Sequence, residues 1–267
     1  MKAHPKKSAD FSGTPKHQGG YSALARCYDS FTKNMDYEKR TEYICALLAR
    51  AGVKQGDSVL DLACGTGAYT YALLRRGYDV IGVDASPGML QAALEKAEAS
   101  GVSQPLLLCQ RLEGLDLYGT ARAAVCLTDS LNHLAEPAPV RRFFRRLALF
   151  LEPGAPFIFD VNTPYKHEHV LADNAFVYEG GGVLCVWQNH WDAPTRTTQI
   201  DLDIFTEEKP GIYTREKESF AERAYTPEEL AAWLGRAGFA VEHVYGELTE
   251  QPPDETAERI FFVCRRT

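Results

Sequence analysis

The sequence predicts a doubly wound α/β fold with an antiparallel β insertion, and three observations lead there. Short apolar runs alternate with helical patterns from Ser58 to Asn162. That rhythm breaks between about residues 165 and 225, where apolar and polar residues alternate with a period of two. One helical pattern and two further apolar runs then close the chain.

Residues 1–20 are rich in Lys, Ser, Gly and Pro and read as a disordered tail. Residues 21–52 read as N-terminal lid helices. Tyr43, Ile44, Leu47 and Leu48 recur at helical spacing there, and Gly52 stops the pattern. "SVLDLAC" is the first strand, "GAYTYALLRRG" a helix ending at Gly77, and "YDVIGVD" the second strand. In "SPGMLQAALEKAEASG" Ser86 is an N-cap, Pro87 suits the first turn and Gly101 is a stop. "PLLLCQ" and "AAVCLT" are strands three and four, "EPAPVRRFFRRLALFLEPG" is a helix, and "APFIFDVN" is strand five. Strand, helix and strand at this spacing imply right-handed crossovers and a parallel sheet.

The alternating segments "VLCVWQNHW", "TTQIDLDIFTEE" and "IYTREKESFAERAY" are separated by the turn signals "DAPT" and "EKPG". They predict antiparallel strands inserted after strand five, over the substrate pocket. Thr226 as N-cap, Pro227 after it and Glu229 three residues on make a capping-box pattern. "AVEHVYGEL" and "RIFFVCRR" have no helix between them and predict an antiparallel hairpin at the sheet edge. The expected whole is one domain over residues 21–267, a Rossmann-like, seven-stranded, mostly parallel sheet with an edge hairpin and a β insertion. No internal repeat is visible.

Composition narrows the function classes. A chain of 267 residues with 45% hydrophobic content supports a single ample core. The net charge of −7 lacks the basic excess of nucleic-acid binders and argues against such a partner. The densest basic run, Arg141 to Arg146, reads as the wet face of a helix with Phe143, Phe144 and Leu147 inward. Seven cysteines, an odd number without a Cys-x-x-Cys pair, read as small buried hydrophobes in a reducing compartment. No apolar stretch approaches the roughly 18 residues of a membrane span, and the N-terminus lacks a signal-peptide core, so a cytoplasmic protein is expected. "YKHEH", with His167 and His169, hints at a metal, but the two lie two residues apart without a partner cluster, and no metal is expected.

In open parallel sheets ligands bind beyond the carboxyl ends of the strands, where Asp61, Gly65 and Gly67 fall. The dinucleotide pattern G-x-G-x-x-G is incomplete, because Ala68, Tyr69 and Thr70 follow Gly67, and no phosphate-loop Lys is present. Asp61, ending the strand before the glycines, would repel a pyrophosphate but supports a cationic ligand. Asp84, ending the second strand, can accept both hydroxyls of a ribose. A nucleoside with a positive appendage fits, and S-adenosylmethionine is one.

These residues resemble the class I S-adenosylmethionine-dependent methyltransferases, and the small bacterial small-molecule or N-methyltransferase-like subgroup in particular. "LDLACGTG" is similar to their first motif, with Ala63 where a glycine often stands, and "GVDAS" with Met89 to the second. "CLTDSLNHL" resembles the segment after strand four, and "LEPGAPFIFDVN" the turn and strand five. Tyr21 to Asp29, "YSALARCYD", followed by "MDY", resembles the lid. The resemblance covers roughly residues 21–267. It implies S-adenosylmethionine contacts from Tyr21, Asp61, Ala63, Gly65, Gly67, Asp84, Ala85, Met89, Arg111, Leu112 and Thr128. Arg111 departs from the family, which often has an Asp there to bond the adenine amine. An Arg cannot accept from an amine, so backbone of Arg111 and Leu112 or stacking of Arg111 would hold the ring.

His133, just past strand four, is the first candidate base, since imidazole titrates near neutral pH; the alternative is a bond to a loop carbonyl. Tyr28 in the lid is the second catalytic candidate, or packs. Asp129, Asn132, Asn162, Trp187 and Arg223 are expected to line the substrate pocket. Asp129 and Asp160 equally suit turns that accept backbone N–H groups. Trp187, His190, Trp191, Arg196, Tyr213, Glu218 and Arg223 stand on the insertion, most of them as sheet-surface residues. The expected activity is methyl transfer to a nitrogen or oxygen of a small molecule. The rivals are an RNA or tRNA methyltransferase, a non-catalytic cofactor-binding protein and a dehydrogenase. Exposed insertion strands allow a homodimer. The sequence names no acceptor.

Overall fold

The computed structural model describes Ala25, Tyr28, Thr32, residues 35–100 and residues 104–267. The expected tail, Tyr21, Gly101 and most of the Tyr21–Asp29 motif lie outside the described residues.

Helix α1 (Tyr37–Arg50) starts where the Asp36 carboxylate accepts the Lys39 N–H. Strand β1 (Ser58–Leu62), helix α2 (Ala68–Arg75), strand β2 (Asp79–Asp84), helix α3 (Pro87–Ser100), strand β3 (Leu106–Cys109) and strand β4 (Ala123–Cys126) follow. Helix α4 (Pro137–Leu147) and strand β5 (Pro156–Asn162) complete the regular alternation. The insertion holds β6 (Ala175–Gly180), β7 (Val183–Asp192), β8 (Thr197–Lys209) and β9 (Ile212–Arg223). Helix α5 (Pro227–Ala237), β10 (Phe239–Gly246) and β11 (Arg259–Arg266) close the chain.

Among the described residues the main sheet has seven strands in the order β10-β11-β5-β4-β1-β2-β3. The pairs β2–β3, β1–β2, β1–β4 and β4–β5 are parallel, and β11 runs antiparallel to both β5 and β10. The expected closing hairpin is therefore present, with its second strand turned inward against β5 and its first on the rim. β11 is buried almost throughout, so its continuous apolar run "IFFVC" needs a neighbour on each side.

Strand periodicity sorts the core into two layers. Leu60, Leu62, Cys126, Phe157, Phe159 and Phe262 face α4 and α5 in one cluster. Val59, Val125, Ile158, Phe261 and Val263 face α1 and α2 in the other. The Phe159 and Phe262 rings stack at 4.7 Å and 4° in the first layer. Ile44, Leu47 and Leu48 of α1 belong to the second. The segment from Tyr37 to Arg50, expected in the lid, is thus a core layer, because its apolar stripe finds the open sheet face. In α4 the arginines point outward and Val140, Phe143, Phe144 and Leu147 inward, as the basic run predicted.

The insertion forms a second, four-stranded antiparallel sheet in the order β6-β7-β8-β9. Its inner face, with Cys185, Ile200, Leu202, Ile204, Trp187 and Phe220, packs on Ala25, Tyr28 and Met89. Before β6 the chain makes a π-helical turn at Lys166–Leu171. The "YKHEH" stretch lies on that turn. It buries His167 completely and leaves His169 exposed, so the two do not converge. The described cysteines are free thiols. No helix among the described residues is long and apolar enough to cross a membrane.

Candidate active site

Strand order reverses between β1 and β4, which leaves a crevice beyond their carboxyl ends. Both strands leave the sheet through left-handed backbone. After β1, Ala63 has φ +55°, Gly65 +55° and Gly67 +77°. After β4, Thr128 has φ +58° and Asp129 +51°. Non-glycine residues held there store local strain, which clusters at ligand sites. Gly67 is also confined sterically, since a Cβ would lie 2.9 Å from the Tyr71 ring, whereas a Cβ on Gly65 meets nothing within 4 Å.

Asp84 organises the first turn. Its Oδ2 accepts the Gly65 N–H at 2.8 Å and its Oδ1 accepts the Ser86 N–H at 2.8 Å. Each oxygen keeps a lone pair, the pattern that suits two vicinal ribose hydroxyls. Burial raises this carboxyl, while those backbone bonds and nearby His133 pull it down. Asp61 lies beneath, 2% exposed, with its Oδ2 accepting the Thr70 hydroxyl at 2.5 Å. Burial, reinforced by Asp84 and opposed by the Thr70 bond, lifts it to about 7. Ser86 caps α3 through the Met89 N–H, and the Met89 side chain enters the wall shared with Tyr28 and the insertion.

The second turn is pinned by Arg259 from β11. Its Nη2 donates to Asp129 Oδ1 at 2.7 Å and its Nη1 to Asp160 Oδ2 at 2.9 Å. Asp160 Oδ1 accepts the Asp129 N–H at 2.8 Å, so the turn role foreseen for Asp160 is the one it has. Burial works against ionisation of Asp129, but Arg259, Lys166 and His133 hold its carboxyl below the ordinary range. Tyr28 reaches this turn through Thr128, and burial drives its phenol well above the usual value.

The turn delivers His133, whose Nε2 lies 3.5 Å from Glu222 Oε1 and whose ring packs on Phe220 at 5.1 Å. Glu222 on β9 is 2% exposed. Burial raises it, while His133 and Lys166 lower it. Its Oε2 accepts Asn162 Nδ2 at 3.4 Å and faces His167 Nε2 at 3.9 Å. His167 is held neutral, lowered to about 4 by burial, with its Nδ1 2.8 Å from Thr198 Oγ1.

The structure therefore gathers Asp61, Ala63, Gly65, Gly67, Asp84, Met89, Thr128, Asp129, His133 and Tyr28 around one crevice, with Trp187 in its roof. Ala85 is exposed at the turn between Asp84 and Ser86. Asn162 contributes its amide through Glu222 and Lys166. Three expected residues are used differently. Arg223 turns its guanidinium to the Thr195 carbonyl and over the Tyr225 ring. Strand alternation puts its neighbour Glu222 on the pocket face instead. The Asn132 side chain accepts Asn162 N–H, donates to the Asn162 and Arg223 carbonyls and lies 3.5 Å from His167 Nε2. The Arg111 side chain is 72% exposed and paired with Glu113, while Leu112 is buried in the core. Glu222, Lys166 and Arg259 escaped sequence reading, and the sequence offered His167 only as half of a possible metal-ligand pair. Glu222 alone carried a signal, its place in alternation with Glu218 and Phe220.

Asp129, His133 and Glu222 each bring a ligand-type atom within 4.8 Å of the others. Arg259 already neutralises Asp129, and its fixed charge opposes a metal cation there.

Comparisons with known proteins agree with this fold. A family model described as a methyltransferase domain matches residues 59–154. The chain is 30% identical over 251 residues to YqeM of Bacillus subtilis (strain 168), whose name places it among methyltransferases, covering 92% of this chain and 97% of that one. It is 26% identical to the dTDP-3-amino-3,6-dideoxy-alpha-D-glucopyranose N,N-dimethyltransferase of Streptomyces fradiae, over 89% of this chain and 92% of that one. The crystal structure of an S-adenosylmethionine-dependent methyltransferase from Clostridium acetobutylicum ATCC 824 superimposes with a TM-score of 0.82 at 27% identity, covering 92% and 98% of the two chains. The chain belongs to the class I S-adenosylmethionine-dependent methyltransferases. Within that class it is similar along its length to enzymes that methylate small molecules.

Proposed function

We propose that this methyltransferase carries a methyl group from S-adenosylmethionine to a nitrogen of a small molecule. The observation behind the reading is the acid-and-glycine turn, in which Asp84 gathers Gly65 and Ser86 beside His133 while Asp61 lies buried below. When bound, the cofactor supplies an electrophilic methyl on a sulfonium. Asp84 would hold the ribose, and Asp61 would present negative charge to the cationic end. Ala63, Gly65 and Gly67 would give close backbone approach, and Ala85, Met89, Leu112 and Arg111 backbone would border the adenine. Tyr28 and Thr128 would enclose the methionine portion.

Nitrogen is favoured over oxygen by charge. An amine arrives as an ammonium, and Asp84 and Glu222, the carboxyls beside His133 that no arginine pairs, make the acceptor side acidic. His133 would take its proton, with Trp187, Asn162 and Phe220 walling the acceptor from water. The amino-sugar dimethyltransferase among its relatives supports a small amine, and the net charge of −7 supports a small molecule over RNA, in a cytoplasmic setting.

Calorimetry with S-adenosylmethionine and with S-adenosylhomocysteine tests the cofactor, and no heat from folded protein rejects it. A screen of amines, amino sugars and phenols for release of S-adenosylhomocysteine tests the acceptor; turnover of phenols alone would assign oxygen. His133→Ala should lower kcat by about 100-fold or more with cofactor affinity retained. Unchanged turnover would remove His133 from the mechanism.

A further inference from the structure

We propose that Glu222 is the positioning residue that fixes His133 in its Nε2–H tautomer, which makes Nδ1 the atom that receives the acceptor's proton. The tautomer half rests on the contact between Glu222 and the ring, and the proton-receiving half rests on the function proposed above.

The two residues are brought together by a backbone clasp one position away from each. The Arg223 N–H donates to the Asn132 carbonyl at 2.8 Å, and Asn132 Nδ2 returns a bond to the Arg223 carbonyl at 2.8 Å. Asn132 also grips both backbone groups of Asn162. The loop after β4, the end of β5 and the last turn of β9 are thus tied at one fully buried amide. His133 and Glu222, next in sequence to the clasped residues, have little freedom to separate.

Glu222 is a buried carboxylate, and a buried carboxylate takes N–H or O–H donors on its oxygens. Oε2 is turned to Asn162 Nδ2 and His167 Nε2, and Oε1 to His133 Nε2 at 3.5 Å. Nε2 is the ring nitrogen turned to that charge, so a proton there is the one Glu222 stabilises, and the lone pair is left on the other nitrogen. Phe220, two residues earlier on the same face of β9, packs on the ring and holds its plane. The insertion therefore supplies both the wall and the orienting charge of the base. In the proton step, an N–H bond of the acceptor ammonium breaks and its electron pair stays on nitrogen. A new N–H bond forms at Nδ1, and the resulting imidazolium faces Glu222.

The test is a long-range proton–nitrogen correlation spectrum of the full chain with ¹⁵N-histidine, at a pH of about 8.5 where free imidazole is neutral. The His133 signals are those that vanish in His133→Gln. The wild type should show the Nε2–H pattern. In Glu222→Gln the new carbonyl stays against the Asn162 donor and the amide NH₂ faces His133, so the ring should switch to Nδ1–H. A wild-type Nδ1–H ring, or a folded Glu222→Gln whose ring is unchanged, overturns the proposal. Should Glu222→Gln not fold, the near-isosteric Glu222→Leu replaces it. Loss of the single-tautomer pattern there supports the proposal, and its persistence overturns it. Cofactor calorimetry is read separately, so absence of binding sinks the methyltransferase reading and leaves the histidine spectrum to decide this one.

Discussion

Ala63 occupies a backbone conformation, φ +55°, that an L side chain adopts at a cost of roughly 1–2 kcal/mol. The first motif of the family often has glycine there, so Ala63→Gly should raise stability by about 0.5–1 kcal/mol, the strain relieved outweighing the added freedom of the unfolded chain. Chemical denaturation measures it, and a loss of stability would mean that the Ala63 methyl packs better than the strain costs. Asp61 sets a second expectation. Its folded carboxyl titrates at about 7 against about 3.9 unfolded, so the native state binds the extra proton between those values. Its contribution to stability is greatest below pH 4 and is lost as pH rises through 7. Asp61→Asn should therefore stabilise the cofactor-free protein at pH 8 by on the order of 2 kcal/mol and leave it nearly unchanged at pH 4, while weakening cofactor binding. Equal gains in Tm at both pH values would show that the carboxyl is not held protonated by burial.

Among the elements, β11 bears the least visible duty. Arg259 stands 130 residues from Asp129 in sequence, yet it pairs with both carboxylates that shape the turn after β4. Arg259→Met keeps the bulk and removes the charge, leaving Asp129 and Asp160 unpaired and buried. A loss of about 3–5 kcal/mol is expected, with activity falling further than stability because the turn carries His133. A variant as stable as the parent would show that water or rearrangement replaces the guanidinium. Helix signals, by contrast, were legible. Thr226 and Glu229 form the capping box that their spacing announced, and Ser86 caps α3. Such bonds span three residues, so sequence contains them whole. The phase of β9 was not legible, because alternation identifies two faces and cannot say which one meets the crevice. That is why Glu222 was passed over for Arg223.

For the molecule as a whole, the roof and the crevice share one apolar cluster, in which Met89 and Tyr28 meet Trp187 and Phe220. Cofactor binding should accordingly change tryptophan fluorescence. Trp187→Phe should abolish most of that change although Trp191 and Trp233 remain, and an undiminished signal would place the roof away from the cofactor. Periodicity, capping residues and the acid-and-glycine turn determined the fold class and the parallel, doubly wound half, because each is written in residues close along the chain. What only the tertiary structure decided was the company of His133. Glu222 reaches it from β9, Asn162 of β5 and His167 of the π-helical turn meet Glu222 behind it, and Arg259 steadies its loop from β11. Those contacts depend on how two sheets dock, and docking is governed by summed packing over many side chains rather than by any local pattern.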